Sequence, residues 1–184
     1  MAEAEKNAPF FEEVFGRLRI SDAGFQTMEK IREQCYAWQR DGAKLRLILI
    51  DYLQLIQGRG ENRTREIGEI SRGLKLLAKE FRCPVLALSQ LSRKCEERAD
   101  RRPMLSDLRE SGDIEQDADV VLLLHREEYY FPETRHRGIA EVMIAKQREG
   151  PTGSVYLKWL ARSTTFRGME EFRKTKAALP QEWR

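Results

Sequence analysis

The sequence has only three cysteines, Cys35, Cys83 and Cys95, and no two of them form a CxxC pair. An odd, unpatterned set fits free thiols in a reducing compartment. Histidine is scarcer. His125 and His136 stand apart in sequence with no partners at ligand spacing, so no metal site is expected from them. No stretch approaches the roughly 18 consecutive apolar residues of a membrane span. The opening Met-Ala-Glu-Ala-Glu-Lys is polar and lacks the apolar region of a signal peptide, so the expected location is the cytoplasm. There is no nucleophile elbow and no G-x-G-x-x-G. Also missing is G-x-x-x-x-G-K-[ST], the glycine-rich loop that cradles nucleotide phosphates. Excess charge of one sign is lacking too: 33 Lys and Arg face 30 Asp and Glu, a net +3. Overall charge therefore gives no argument for nucleic acid, and local placement must carry it.

What remains is enough for one soluble globular domain: 184 residues, 41% apolar and 34% charged. Residues 1–17 show no strong period and read as a poorly defined arm. Leu18 to Ile20 reads as a short strand, followed by Ser21 and Asp22 as turn or capping residues. Phe25, Met28, Ile31, Cys35 and Trp38 recur at helical spacing, and Asp41-Gly42 ends that helix. Leu45 to Ile50 is a near-continuous apolar run, as in a parallel strand covered by helices on both faces. Ile67, Ile70, Leu74, Leu77 and Phe81 mark a second amphipathic helix. Two more apolar runs follow, Val85 to Leu88 and Val120 to Leu124.

Strand, helix and strand at this spacing imply right-handed βαβ units in an α/β, mostly parallel sheet flanked by helices. The chain then changes style. Ile139 to Ala145 and Ser154 to Leu160 flank a Gly- and Pro-containing turn, so the fold should finish in an antiparallel hairpin. Residues 169–184 read as a polar tail. Trp38 and Trp159 fit core packing better than base stacking.

Four segments carry chemistry. Asp51 closes the first apolar run. Ligands of open α/β sheets bind beyond the carboxyl ends of strands, and in phosphate-loop ATPases an Asp here holds magnesium. Ser89-Gln90 closes the neighbouring run, and an amide there is placed to donate to a γ-phosphate or orient a water. The segment from Arg98 to Asp119 is long for a loop in a compact domain, which usually signals function. Within it, Arg109 and the backbone of Gly112 suit phosphates, although the flanking acids argue against a simple basic patch. Finally, Lys146 and Arg148 share one face at the hairpin tip. Two adjacent cations repel unless an anion joins them, and beside a nucleotide site such a pair would serve as an arginine finger.

Several strings, in order, resemble the C-terminal motor domain of DnaB-type bacterial replicative helicases. Ile48-Leu49-Ile50-Asp51-Tyr52-Leu53-Gln54-Leu55 looks like the magnesium-site strand of that RecA-like core. Asn62-Arg63-Thr64, Glu69-Ile70-Ser71-Arg72 and Leu74-Lys75 resemble its next helix, and Ala87-Leu88-Ser89-Gln90-Leu91 its sensor strand. Ser106 to Gly112 with Ile114 to Asp119 resemble its DNA-facing loop and following helix, and Ala145 to Gly150 its finger hairpin. The resemblance covers roughly residues 18–168. It implies a hexameric ring that encircles single-stranded DNA and moves along it by ATP hydrolysis. Asp51 would help hold Mg2+, directly or through water, and Gln90 would sense the γ-phosphate. Arg109, Glu110 and Gly112 would lie at the DNA backbone. Lys146 and Arg148 would reach a neighbouring subunit's nucleotide.

The departure is the phosphate loop and the family's catalytic glutamate, neither of which is found. Without the loop's amides and lysine little remains to cradle a triphosphate, and magnesium relies on substrate phosphates for its remaining ligands. The chain therefore reads as part of a motor, completed by a chain carrying that loop. Two other readings are an inactive single-stranded-DNA-binding or helicase-interacting fragment, and a RecA-like recombinase.

Overall fold

The computed structural model describes residues 16–108 and 112–169. Strand β1 (Gln26–Thr27) leads into helix α1 (Met28–Arg40), where the Thr27 hydroxyl caps the first turn by accepting from the Lys30 N–H at 3.3 Å. The helix stops at Asp41, and Gly42 takes the left-handed φ of +85° that the exit turn requires. Strand β2 (Ile48–Ile50), a single 3₁₀ turn and strand β3 (Ile56–Gln57) follow. Helix α2 (Arg63–Phe81) is the longest element. Asn62 caps it by accepting from the Arg65 N–H at 3.0 Å, and Arg82 closes it in the left-handed region. Strand β4 (Val85–Ala87) comes next.

A charged stretch with two 3₁₀ turns then leads to helix α3 (Gly112–Asp117) and strand β5 (Val120–His125). A short helix α4 (Glu127–Tyr130) precedes the closing strands β6 (Ile139–Gln147), β7 (Gly153–Leu160) and β8 (Thr165–Gly168).

The β2–α2–β4 unit is the expected one. Its strands pair in parallel, Ile48 opposite Val85 and Ile50 opposite Ala87. The terminal hairpin is also as read: β6 and β7 pair antiparallel, Ile139 opposite Lys158. Three expectations change. Leu18 to Ile20 forms no strand, and the side chains of Leu18 and Ile20 are exposed. Its neighbours Ser21 and Asp22 do not cap the helix, because Phe25 precedes it and Thr27 caps it. The Val120 run is not a further parallel strand. β5 pairs antiparallel with β6, in a sheet ordered β5-β6-β7-β8.

Burial gives the third correction. The main core lies between the helices and one side of the parallel pair: Cys35, Ile48, Leu53, Ile56, Ile67, Ile70, Leu74, Leu77, Phe81 and Cys83. A smaller cluster around Leu108, Val121 and Leu123 sits under α3 and the hairpin. The other side of these strands is open. Leu49 is 57% exposed and Leu122 is 54% exposed, with Leu47, Leu86, Leu88, Val120 and Leu124 in a similar state. β5 alternates exposed and buried along its length, so its apolar run comes from two apolar faces of which only one is packed. Residues 1–15 of the arm read at 1–17, residues 170–184 of the tail read at 169–184, and Arg109, Glu110 and Ser111 lie outside the described residues.

Candidate functional site: two strand ends and a paired-cation hairpin

β2 and β4 run in parallel, so their carboxyl ends meet at one edge. Asp51 follows β2 directly and is exposed there. The pairing continues past the strands: the Leu88 N–H donates to the Ile50 carbonyl at 2.9 Å and the Leu53 N–H to the Leu88 carbonyl at 2.8 Å. Gln90 follows, also exposed.

Between the two ends lies a side chain that the sequence reading passed over. The amide of Gln54 donates through Nε2 to the Ser89 hydroxyl at 3.1 Å and to the Gln90 carbonyl at 3.2 Å. Its Oε1 accepts from the Gln90 N–H at 3.2 Å. One neutral amide thus ties the loop after β2 to the end of β4. Gln54 is tied in turn to α2, because Arg63 Nη2 donates to its carbonyl at 2.5 Å. Arg63 also pairs with Glu66, which accepts from the Gly58 N–H at 2.7 Å. These two donors, Gly58 first and Arg63 next, hold the Glu66 carboxyl below its usual range against a small opposing effect of burial.

Gln54 and Gln90 border a cleft of about 200 Å³ that continues past Ser92 to Asp107, Leu108 and Ile114. At its far wall Asp107 is buried and accepts from Arg98 Nη1 at 3.0 Å, from Arg98 Nη2, and from the Met104 N–H at 2.7 Å. Arg98 lowers the Asp107 pKa; burial pulls the other way, and the Met104 amide adds to the lowering. The Asp107 carbonyl accepts from the Ser92 N–H at 2.9 Å. The base of the segment leading toward Arg109 is therefore fastened to the segment leaving Gln90.

The cations of the hairpin form a second group. Lys146 and Arg148 do lie on one side, against the carboxyl end of α3. Lys146 Nζ donates to the Glu115 carbonyl and, at 3.3 Å, to that of Gln116. Arg148 Nη2 donates to the Gln116 carbonyl at 2.9 Å, and Nε lies 3.3 Å from Asp119 Oδ1. The anion that such a pair requires is thus a helix end together with Asp119. Among the described residues no hydrogen bond or ion pair joins this group to Asp51 or Gln90. Gly112 is the first residue of α3, so it lies one short helix away from the cations.

The remaining candidates stay structural. His125 is buried, and burial first, then the nearby Arg102 charge, pushes its pKa below the usual value. His136 Nδ1 lies 2.6 Å from Glu127 Oε2. Trp159 packs against Phe166 with ring centres 4.8 Å apart and lies under the Arg126 guanidinium at 4.4 Å. Trp38 is half-buried on α1. Among the described residues there is no cluster of three His, Cys, Asp or Glu side chains suited to a metal ion, and no helix long and apolar enough to cross a membrane.

The family described as the DnaB-like helicase C-terminal domain matches residues 6–168. This chain belongs to that family. The replicative DNA helicase DnaC of Bacillus subtilis is 50% identical over 154 residues, covering 82% of this chain and 34% of its own length. The replicative DNA helicase DnaB of Geobacillus stearothermophilus is 47% identical over 167 residues, covering 89% and 35%. A solved DnaB-like replicative helicase, described with its interactions with primase, superposes with a TM-score of 0.78 at 44% identity, covering 83% of this chain and 37% of that one. A second solved structure, described as an ATPase domain, superposes at 0.75 with 45% identity, covering 79% and 52%. The RecA-like architecture is therefore that of DnaB-family ATPase domains, and the named relatives are helicases, not recombinases. The chain spans about a third of the length of the replicative helicases it matches.

Proposed function

We propose that this chain is part of the motor of a replicative DNA helicase. In this reading the motor uses ATP hydrolysis to move along single-stranded DNA and unwind duplex in the cytoplasm. The observation that carries this is the pair of adjoining strand ends that bear Asp51 and Gln90, with Gln54 tying the loop after Asp51 to Ser89 and Gln90, accompanied by two cations on one hairpin face.

The residues present fit a nucleotide site divided between polypeptides. Asp51 is a lone exposed carboxylate outside any metal-binding cluster among the described residues, which suits a magnesium ion held mainly by phosphates and water. Bound Mg2+-ATP would supply the phosphoryl group and the charge neutralisation that its transfer needs. This chain's own part is to orient the ion at Asp51, to read the outermost phosphate at Gln90, and to offer Lys146 and Arg148 to the nucleotide of a neighbouring subunit. The cradle for the phosphates must come from a segment bearing the glycine-rich loop, which the 184 residues do not contain. Arg109, Glu110 and Gly112 are assigned to the DNA backbone, where a backbone amide and an arginine act without reading sequence. A hexameric ring brings each hairpin to the next subunit's site.

The test mixes this chain with a polypeptide carrying the phosphate loop and measures DNA-dependent ATP hydrolysis. Turnover should appear only in the mixture, and Arg148→Ala should lower it on the order of 10³-fold, as for other arginine fingers. Turnover unaffected by that change would remove Arg148 from the site. DNA binding by the chain alone with no turnover in any mixture would instead favour a non-catalytic binding role.

A further inference from the structure

Arg148 is gripped along one edge. Its N–H donates to the Asp119 carbonyl at 2.8 Å, Nε faces the Asp119 carboxylate at 3.3 Å, and Nη2 donates to Gln116 at 2.9 Å. Its remaining nitrogen, Nη1, makes no hydrogen bond among the described residues. Asp119 is shared: its other oxygen pairs with Lys75 Nζ. Lys75 follows Leu74 on α2, whose inner face is fixed in the main core by Ile67, Ile70, Leu74 and Leu77. Lys146 completes the arrangement on the α3 carbonyls. The chain of contacts therefore runs from a rigid helix, through one carboxylate, to a guanidinium held from behind with its far end open.

We propose that Asp119, anchored by Lys75, is a positioning residue that sets the aim of Arg148 toward an anion on a neighbouring subunit. The inference rests on the finger role given to Arg148 above. Asp119 is 58% exposed in its side chain, so solvent screens its ion pairs and they contribute little to folding. What they restrict is the direction of a long, rotamer-rich side chain, and misplacement of a catalytic group by about an ångström costs turnover heavily. A guanidinium tied at Nε and Nη2 still presents a fork edge for phosphate oxygens.

The experiment is a double-mutant cycle in the complete mixture with the phosphate-loop polypeptide. Asp119→Asn should lower kcat on the order of tenfold with little change in KM, and should add nothing on the Arg148→Ala background. Lys75→Met should give a smaller loss in the same direction, and Asp119→Glu should recover part of it. Thermal unfolding of each variant reports on folding separately. If Asp119→Asn fails to fold, the Lys75→Met cycle decides. Equal losses on both backgrounds would make Asp119 merely structural and overturn the inference, as would no loss at all while Arg148→Ala collapses turnover. If Arg148→Ala itself has no effect, the finger role falls first and this inference with it.

Discussion

His125 sits at the end of β5, buried opposite Glu141, with its ring stacked on Tyr130 at 5.9 Å. A neutral imidazole is favoured there over a charged one, since burial first and the Arg102 cation next outweigh the nearby Glu141, Glu127 and Asp100 carboxylates, which favour the proton. The sign follows from linkage. In the unfolded chain the imidazole protonates near its ordinary value of about 6.5, whereas in the folded chain it resists until lower pH. As pH falls from about 7 through 6.5 the unfolded state gains a proton that the folded state refuses, so stability declines. The lowered carboxyls of Asp107 and Asp119 act further down, where carboxylates normally titrate near 4. Urea midpoints taken between about pH 7.5 and 5.5 should therefore drop, and His125→Phe should flatten that drop. An unchanged slope in the variant would place the responsible proton elsewhere.

At the scale of elements, the turn before α2 is the tightest feature near the strand ends. A Cβ added at Gly60 would lie 2.7 Å from the Glu66 Cα and closer still to its amide nitrogen, and backbone cannot step aside. Gly60→Ala should cost about 1–3 kcal/mol through forced displacement. Asn62→Ala, which removes only the capping acceptor, should cost about 1 kcal/mol. Denaturant unfolding of the two variants compares them, and a smaller loss for Gly60→Ala would mean that the turn yields freely. This region also marks how far the sequence could be read. α1 and α2 were legible because their apolar positions repeat with one clear period, β2 and β4 because their apolar runs are continuous, and the β6–β7 hairpin because a Gly- and Pro-containing turn joins two extended runs. β1 and β3 were not, since two residues are too few to carry a period, nor was β8 with Thr165, Arg167 and Gly168 in four positions. The partner of β5 was misjudged because an apolar run says that a strand is apolar on both sides, not which neighbour it bonds. In the site, Asp51, Gln90, Lys146 and Arg148 stood out by their place at strand ends. Gln54, Lys75 and Asp119 did not. Their side-chain contacts join residues 29 to 44 positions apart or act through main-chain groups, and no local spacing encodes those.

Taken whole, the molecule leaves one side of its strands uncovered among the described residues. Leu47, Leu49, Leu86, Leu88, Val120, Leu122 and Leu124 are about half exposed while the opposite side is packed under α1, α2 and α3. Among the described residues β2 bonds only to β4, so the parallel pair shows open edges there. Soluble monomers seldom show apolar surface of this kind, and open strand edges invite pairing with other chains. The matched replicative helicases are roughly three times as long as the region they share with this chain, so in them more polypeptide is at hand to cover such a face. Alone, this chain should associate. Sedimentation should give species larger than one chain, growing with concentration. Leu49→Lys, Leu86→Lys and Leu122→Lys together should shift the distribution to monomer with little change in the thermal midpoint, because those side chains are about half exposed and belong to neither core cluster of the described residues. A large fall in that midpoint would mean the leucines are buried within the chain itself. A single monomeric species for the unmodified chain at every concentration would mean the face is already covered. Association reversed by the three lysines would mark this side of the strands as the surface on which the motor is completed.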